Sequence, residues 1–128
     1  QLISRYHQAW TDRELDTALA CIGNSYVRAI KGMDDTGHPT DWNGGYGARD
    51  QMRTWMEDGF NDLEFSYANE IEFLHTDINE HSGIVVTRET GSQANSRGTN
   101  EWNGMKMLWW VANIEGEWKI LGSLHNID

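Results

Sequence analysis

The sequence predicts an α+β domain, and three observations lead to this prediction. Apolar residues recur at three- and four-residue spacing in three segments before Asn61, as they do on one face of a helix. Beyond that point the apolar spacing changes to two, as in strands whose side chains alternate between faces. Helices followed by a run of strands are typical of folds in which helices cover one face of a largely antiparallel sheet.

Three helices are predicted in the first half of the chain. The first has an apolar stripe and ends near Thr11. Thr11 and Glu14 have the spacing of a capping box for a second helix, which is predicted to stop at Gly23. A third helix is predicted over residues 48–60, where methionine and tryptophan again recur at helical spacing.

The remaining apolar segments are predicted to be strands of a meander. The first strand separates the second and third helices, and a long glycine-rich loop over residues 32–47 follows it. The predicted strands are 26–30, 63–67, 71–75, 83–90, 100–114 and 117–127, with turns at 79–82, 91–98 and 115–116.

Length and charge limit the functions that the chain can have. Its 128 residues fit one domain, taken as residues 1–128. A net charge of −10 disfavours binding to nucleic acid or to anionic membranes. Cys21 is the single cysteine, so no internal disulfide forms and a cytoplasmic location is expected. Because the chain opens on Gln1 and not on Met, a segment removed from its start stays open as an alternative.

Three segments resemble the nuclear-transport-factor-2-like superfamily and its SnoaL-like members. They are "RYHQAWTDRELDTAL" for the first two helices, "GARDQMRTW" for the start of the third, and "IEGEWKILGSL" for the final hairpin. The resemblance implies a cone-shaped fold, in which a curved, mostly antiparallel sheet wraps around three N-terminal helices and encloses an apolar pocket. It also implies a homodimer formed through the sheet.

The ketosteroid isomerases of this superfamily allow a comparison residue by residue. Tyr6 in "SRY" stands where these enzymes have a tyrosine that donates a hydrogen bond to the developing oxyanion. Counting onward without gaps, Ile30 takes the place of their aspartate base, and Leu108 takes the place of their oxyanion-hole aspartate. Both acids are missing, so classical ketosteroid isomerisation is not expected.

Tyr6, His125 and Arg28 are the candidate catalytic residues. Tyr6 is either a hydrogen-bond donor in the pocket or a core tyrosine bonded to a backbone carbonyl. His125 on the last strand is either an acid or base facing the concave side, or a histidine at the strand end in solvent or at a dimer contact. Arg28 either stabilises a ligand anion or lies on the outer face. His7 and His81 are interpreted as surface or loop residues.

Aromatic and apolar residues are expected to line the pocket, because indole walls with a few polar groups suit a flat hydrophobic ligand. One of Trp109 and Trp110 must face outward, where it would meet a second subunit. The predicted ligand-binding residues are Trp10, Tyr26, Trp55, Met56, Phe60, His75, Leu108, Trp110, Leu121 and Ser123.

No metal site or organic cofactor is predicted. Asp34, Asp35, His38 and Asp41 lie close together in sequence, but their spacing fits neither a calcium loop nor a zinc site. They are interpreted as a solvated acidic loop.

Two functional hypotheses follow from the sequence. The first is a cofactor-independent lyase, isomerase or hydrolase that acts on a small hydrophobic molecule by acid–base chemistry. The alternative is a non-catalytic ligand-binding or dimeric assembly domain of the same fold.

Overall fold

The structure is a computed structural model that describes residues 1–33, 39–47 and 49–127. Three helices and six strands are found within these residues. In chain order they are α1 (Leu2–Thr11), α2 (Leu15–Ala20), β1 (Ile22–Met33), β2 (Pro39–Gly47), α3 (Arg49–Phe60), β3 (Ser66–Ile78), β4 (Ser82–Asn95), β5 (Gly98–Ile114) and β6 (Glu117–His125).

The described strands form one curved sheet in the order β2-β1-β6-β5-β4-β3. Each neighbouring pair is antiparallel except β1 and β6, which run parallel. A two-residue turn at Glu115 and Gly116 joins β5 to β6, and both residues have positive φ angles of 53° and 90°. This turn geometry suits the twist of a hairpin, which explains why glycine follows Glu115. The sequence prediction of an α+β fold with a mostly antiparallel sheet is confirmed.

The core lies between the helices and the concave face of the sheet. Buried residues of α1 and α3 recur at helical spacing, whereas those of β4 and β5 alternate along each strand. On β5, Met107 and Trp109 face the core, and the intervening Leu108 faces away. This alternation puts one wall of large side chains opposite the helices.

The second helix ends earlier than predicted, and its start has no capping box. The helix stops at Ala20, and the Cys21 carbonyl already accepts the Ile120 N–H at 2.7 Å, so strand pairing begins there. Gly23 therefore lies inside β1. At the other end, no side chain caps the first turn, and the Thr11 hydroxyl donates instead to a carbonyl within α1.

Two predicted loops also turn out to be partly strand. Residues 39–47 of the predicted glycine-rich loop form β2, which pairs with β1, and positions 34, 35 and 38 of the predicted acidic loop lie outside the described residues. The predicted turn over 91–98 is short, because β4 continues to Asn95. Conversely, the predicted strand at 63–67 is mostly a turn, in which the Asp62 carboxylate accepts the Glu64 N–H at 2.9 Å.

Candidate active site

A cavity of about 960 Å³ lies between α1, α3 and the concave face of the sheet. Eleven of its 25 lining residues are aromatic or methionine, and polar residues from β4 and β5 are concentrated along one side. The aromatic and methionine residues around it are Tyr6, Trp10, Tyr26, Met52, Trp55, Phe65, Tyr67, Trp102, Met105, Met107 and Trp109. Such walls suit a flat, largely apolar small molecule.

The three candidate catalytic residues all line this cavity, although they come from three different elements. Tyr6 is on α1, Arg28 is on β1, and His125 ends β6. Parallel pairing of β1 with β6 sets Arg28 beside Ser123, two residues before His125. The pairing explains how residues almost a hundred positions apart reach one cavity.

A chain of hydrogen bonds joins Tyr26, Ser123 and His125. The Tyr26 hydroxyl lies 2.8 Å from Oγ of Ser123, and this Oγ lies 3.0 Å from Nε2 of His125. Tyr26 and His125 both line the cavity, whereas Ser123 lies behind them and is 1% exposed. Each hydroxyl can donate one hydrogen bond and accept others, so the chain can run in either direction.

His125 is a neutral imidazole in this setting. Burial lowers its pKa from 6.5 to about 3, and the positive charge of Arg28 acts in the same direction. A neutral histidine keeps one N–H donor and one acceptor nitrogen. His125 can therefore exchange a proton with a ligand, but a lasting positive charge on it is disfavoured.

Three phenols of the cavity stay protonated and act as hydrogen-bond donors. Burial raises the pKa of Tyr6, Tyr26 and Tyr67, and the charge of Arg28 only partly opposes this. A protonated phenol next to a guanidinium suits a ligand oxygen that gains negative charge during a reaction.

Sequence reasoning missed a buried pair formed by His7 and Glu89. Nε2 of His7 lies 3.1 Å from Oε1 of Glu89, and Nδ1 of His7 lies 2.8 Å from the Ile3 carbonyl oxygen. The interpretation of His7 as a surface residue is wrong, because its side chain is almost fully buried. A signal was available, since His7 follows Ile3 by four positions on the apolar stripe of α1.

Every lone pair of the Glu89 carboxylate has a donor. Oε1 accepts from the Asn69 amide at 2.8 Å, and Oε2 accepts from the Thr87 hydroxyl and from the Trp109 indole N–H at 3.1 Å. The Trp102 indole N–H in turn donates to the Asn69 side-chain oxygen at 2.8 Å. Glu89 is thus the centre of a network that fixes one wall of the cavity.

The network defines the protons on the pair. The Ile3 carbonyl can only accept, so Nδ1 of His7 carries a hydrogen. Burial alone would raise the pKa of Glu89, but the hydrogen bond and charge of His7, with the bonds from Thr87 and Asn69, lower it overall. One further proton lies in the hydrogen bond between Nε2 of His7 and Oε1 of Glu89.

The structure divides the predicted ligand-binding residues into three groups. Trp10, Tyr26 and Trp55 line the cavity. Met56, Phe60 and Ser123 are buried behind its surface. The structure corrects the other four: they lie away from the cavity, on the outer side of the sheet or exposed to solvent, and are His75, Leu108, Trp110 and Leu121.

Trp110 and Leu121 are outside the cavity for different reasons. Trp109 is 1% exposed and faces inward, so the alternation of β5 turns Trp110 outward, where it is 41% exposed. Leu121 is the extra residue of a bulge, because Gly122 pairs with Trp110 while Ile120 pairs with Val111. The bulge breaks the predicted alternation of Leu121 with Ser123. A contact of Trp110 with a second subunit stays a prediction.

The described residues contain no group of three or more side chains that could hold a metal ion. Within the same part of the chain, no helix is long and apolar enough to cross a membrane.

Comparisons with known proteins identify the fold. No protein-family model matches the chain, and no curated protein sequence matches it. Solved structures do match. A protein named as an aromatic ring hydroxylase from Novosphingobium aromaticivorans has a TM-score of 0.75 at 15% identity, over 98% of this chain and 82% of that one.

Two further matches have the same architecture. A ketosteroid isomerase-like protein from Erwinia carotovora atroseptica gives a TM-score of 0.67 at 14% identity, over 99% of this chain and 92% of that one. An NTF2-like protein of unknown function from Shewanella oneidensis gives 0.71 at 14% identity, over 98% and 93%. This chain has the nuclear-transport-factor-2-like fold, as its sequence motifs predicted. Because that fold supports many activities, the function must be argued from the cavity.

Proposed function

We propose that the protein is a small cofactor-independent enzyme, of the lyase, isomerase or hydrolase type, that performs acid–base chemistry on a small hydrophobic substrate. The observation that carries the proposal is the convergence of Tyr6, Arg28 and His125 on one aromatic cavity. Proton donors, a cation and an imidazole around one apolar space are the parts that acid–base catalysis needs.

Each polar group has a role in this proposal. The Tyr6 and Tyr26 hydroxyls donate hydrogen bonds to a substrate oxygen, and Arg28 stabilises the negative charge that develops on it. His125 exchanges the proton with the substrate. The indoles of Trp10 and Trp55 bind its apolar part. The names of two solved structures with this fold, an aromatic ring hydroxylase and a ketosteroid isomerase-like protein, support an aromatic or cyclic substrate.

The alternative is a non-catalytic receptor for the same ligand, and two observations favour it. Both oxygens of the Glu89 carboxylate already accept hydrogen bonds from donors within the protein. No lone pair of this carboxylate is therefore left to accept a substrate proton. In addition, a pKa of about 3 makes His125 a weak base.

Deuterium exchange separates the two functions. A panel of flat aromatic and cyclic ketones is first screened for quenching of tryptophan fluorescence, which reports binding. Bound ketones are then incubated in D₂O, and deuterium uptake at the carbon next to the carbonyl is followed by mass spectrometry. The enzyme hypothesis expects accelerated uptake that His125→Asn reduces by about 100-fold or more.

His81→Asn is the matched control, because the His81 side chain is 81% exposed in the turn between β3 and β4. This variant is expected to exchange at the rate of the unchanged protein. Tight binding without accelerated exchange for every bound ketone would contradict an enzyme that removes a proton from a substrate carbon, and would favour the receptor.

A further inference from the structure

The cavity has two ends that differ in their chemistry. The inner end holds Tyr6, Tyr26 and His125, to which the proposed function assigns the reaction. The outer end is formed by the hairpin of β4 and β5, where side-chain amides and one indole line the wall. These outer residues have no role in the proposed reaction, and they are Gln93, Asn95, Asn100, Trp102 and Asn103.

A bulge in β5 brings Trp102 onto the cavity wall. Glu89 pairs with Met105 and Gly91 pairs with Trp102, so two steps along β4 match three steps along β5. The extra residue falls at Gly104, whose φ of 67° is a backbone conformation that favours glycine. Regular alternation would put Met105 and Trp102 on opposite faces, yet both line the cavity. The bulge thus extends the wall of the cavity along the hairpin.

Gln93 and Asn100 present two neighbouring amides to the outer end. They lie directly opposite each other on β4 and β5, where side chains on the same face are about 5 Å apart. Within the part of the chain that the structure describes, neither side chain has a hydrogen-bond partner in the protein. Each amide has two N–H donors and a carbonyl acceptor. The pair can therefore both donate to and accept from a ligand.

Trp102 contributes an apolar ring surface beside these amides. Its indole N–H already donates to the Asn69 side chain at 2.8 Å, and its ring lies 5.9 Å from the ring of Tyr67. The indole is fixed in this way and is only half-buried, so part of its ring remains open to a ligand. An apolar ring next to unpaired amides matches a sugar, which has an apolar C–H face and an edge of hydroxyls that donate and accept.

The charges at the outer end favour an uncharged ligand group. Arg97 and Glu101 carry opposite charges there, and Asp58 of α3 adds a further negative charge. The whole chain has a net charge of −10, which repels anions from the protein. A sugar is uncharged, whereas a sulfate or carboxylate group would meet this repulsion.

The distance between the two ends requires a long ligand. His125 at the inner end pairs with Met107, and Asn100 lies seven residues before Met107 on the same strand. At about 3.3 Å per residue, these positions are roughly 20 Å apart along β5. A single aromatic ring at the inner end therefore cannot reach the amides, but a fused or linked ring system that carries a sugar can.

We propose that the outer end of the cavity is a subsite for a sugar ring, and that the substrate is an elongated aromatic or cyclic compound to which this sugar is attached. The inference rests on the proposed enzymatic function and specifies its substrate class. Gln93 and Asn100 bind the sugar hydroxyls, and Trp102 packs against the C–H face. The three residues determine specificity and take no part in the chemical step.

The test compares ligands that share one aromatic ring system. Isothermal titration calorimetry on the whole chain at pH 7 measures the Kd of naringenin, a flavanone with an enolisable ketone, and of its 7-O-glucoside, 7-O-sulfate and 7-O-glucuronide. The glucoside is expected to bind at least about 10-fold more tightly than naringenin, because it gains hydrogen bonds to the two amides. The two anionic conjugates are expected to bind no more tightly than naringenin.

Variants of the outer end assign this gain to its residues. Gln93→Ala and Asn100→Ala are each expected to weaken binding of the glucoside by about 5-fold and to change binding of naringenin by less than about 2-fold. Neither side chain is fully buried, so both variants are expected to fold, which circular dichroism checks. Gln51→Ala is the matched control, because this exposed amide on α3 lies outside the cavity and its loss is expected to leave both Kd values unchanged.

Failure of the sugar subsite and failure of the enzymatic function give different results. The subsite is overturned if the glucoside does not bind, if it binds no more tightly than naringenin, or if the two amide variants weaken both ligands equally. Tighter binding of the sulfate that Arg97→Ala removes would also overturn it, in favour of an anion subsite. Deuterium exchange next to the ketone is measured separately: a preference for the glucoside without exchange would leave the subsite and contradict the proton-removing enzyme.

Discussion

Nε2 of His7 lies 3.1 Å from Oε1 of Glu89 inside the wall of the cavity, and the two side chains are 7% and 2% exposed. Two ionisable side chains at such depth are costly unless each remaining polar atom also has a partner. Here Nδ1 of His7 bonds to the Ile3 carbonyl, and the carboxylate accepts from Asn69, Thr87 and Trp109. The pair is therefore stabilised, because each polar atom of the two side chains has a hydrogen-bond partner.

Glu89→Gln is expected to destabilise the fold by about 3 kcal/mol, because it leaves the buried Nε2 of His7 without its carboxylate partner. The new amide also points a donor at other donors of the network. Urea unfolding at pH 7 measures the change. Glu70→Gln, at an exposed position on β3, is the matched control and is expected to stay within about 0.5 kcal/mol. Equal effects of the two changes would contradict the description of the network.

The lowered pKa of His125 predicts how the stability of the fold depends on pH. Its pKa is about 3 in the folded protein and 6.5 ordinarily, so the unfolded chain binds the extra proton between these values. The contribution of His125 to the free energy of unfolding is complete above about pH 6.5. It falls by about 1.4 kcal/mol for each pH unit as the pH is lowered toward 3. Arg28 and His7 strengthen the effect, and the charge of Glu89 opposes it.

Urea unfolding of the unchanged protein and of His125→Gln at several pH values between 7 and 4 measures this contribution. The difference in free energy between the two proteins is expected to shrink as the pH falls, because glutamine does not titrate. Other carboxylates affect both proteins alike and cancel from the difference. A constant difference across this range would mean that His125 is not the titrating group.

The sequence allowed the fold class to be predicted because its periodicities are strong. Helical spacing before Asn61 and alternation after it were sufficient for all three helices and for most strands. β2 could not be predicted from composition, because its residues are glycine-rich and polar, and pairing with β1 stabilises the strand. The bulge at Leu121 was equally inaccessible, since it depends on the register between two strands.

The candidate site was predictable only in part. Tyr6, Arg28 and His125 could be proposed because the family resemblance implied that their faces of the helix and strands point into the pocket. The contacts between distant residues were not accessible, above all the pair of His7 and Glu89. The alternation Val85, Thr87, Glu89 would have placed the carboxylate on a buried face, but its partner on α1 appears only once the chain is folded.

Arg13 links two turns that frame the cavity. Its guanidinium donates to the carbonyl oxygens of Phe60 at 3.3 Å, Asp62 at 3.2 Å and Phe65, and it lies 5.3 Å from the centre of the Phe65 ring. Arg13→Ala is expected to cost about 1–2 kcal/mol, because three backbone acceptors lose their donor. Thermal unfolding tests this. Arg53→Ala on α3 is the control, since its ion pair with Glu57 is solvent-exposed, and no comparable loss is expected.

Trp109 and Trp110 allow a test in which neighbouring indoles differ only in the face of the sheet they occupy. Trp109 is 1% exposed and donates to Thr87 at 3.0 Å and to Glu89 at 3.1 Å, whereas Trp110 is 41% exposed on the opposite face. Trp109→Phe removes a donor from the buried network and leaves a void, so a loss of about 2–4 kcal/mol is expected. Trp110→Phe is expected to change the free energy of unfolding by less than about 1 kcal/mol. Urea unfolding of both variants at pH 7 gives the comparison, and a larger loss for Trp110→Phe would show that the two faces of β5 have been assigned the wrong way round.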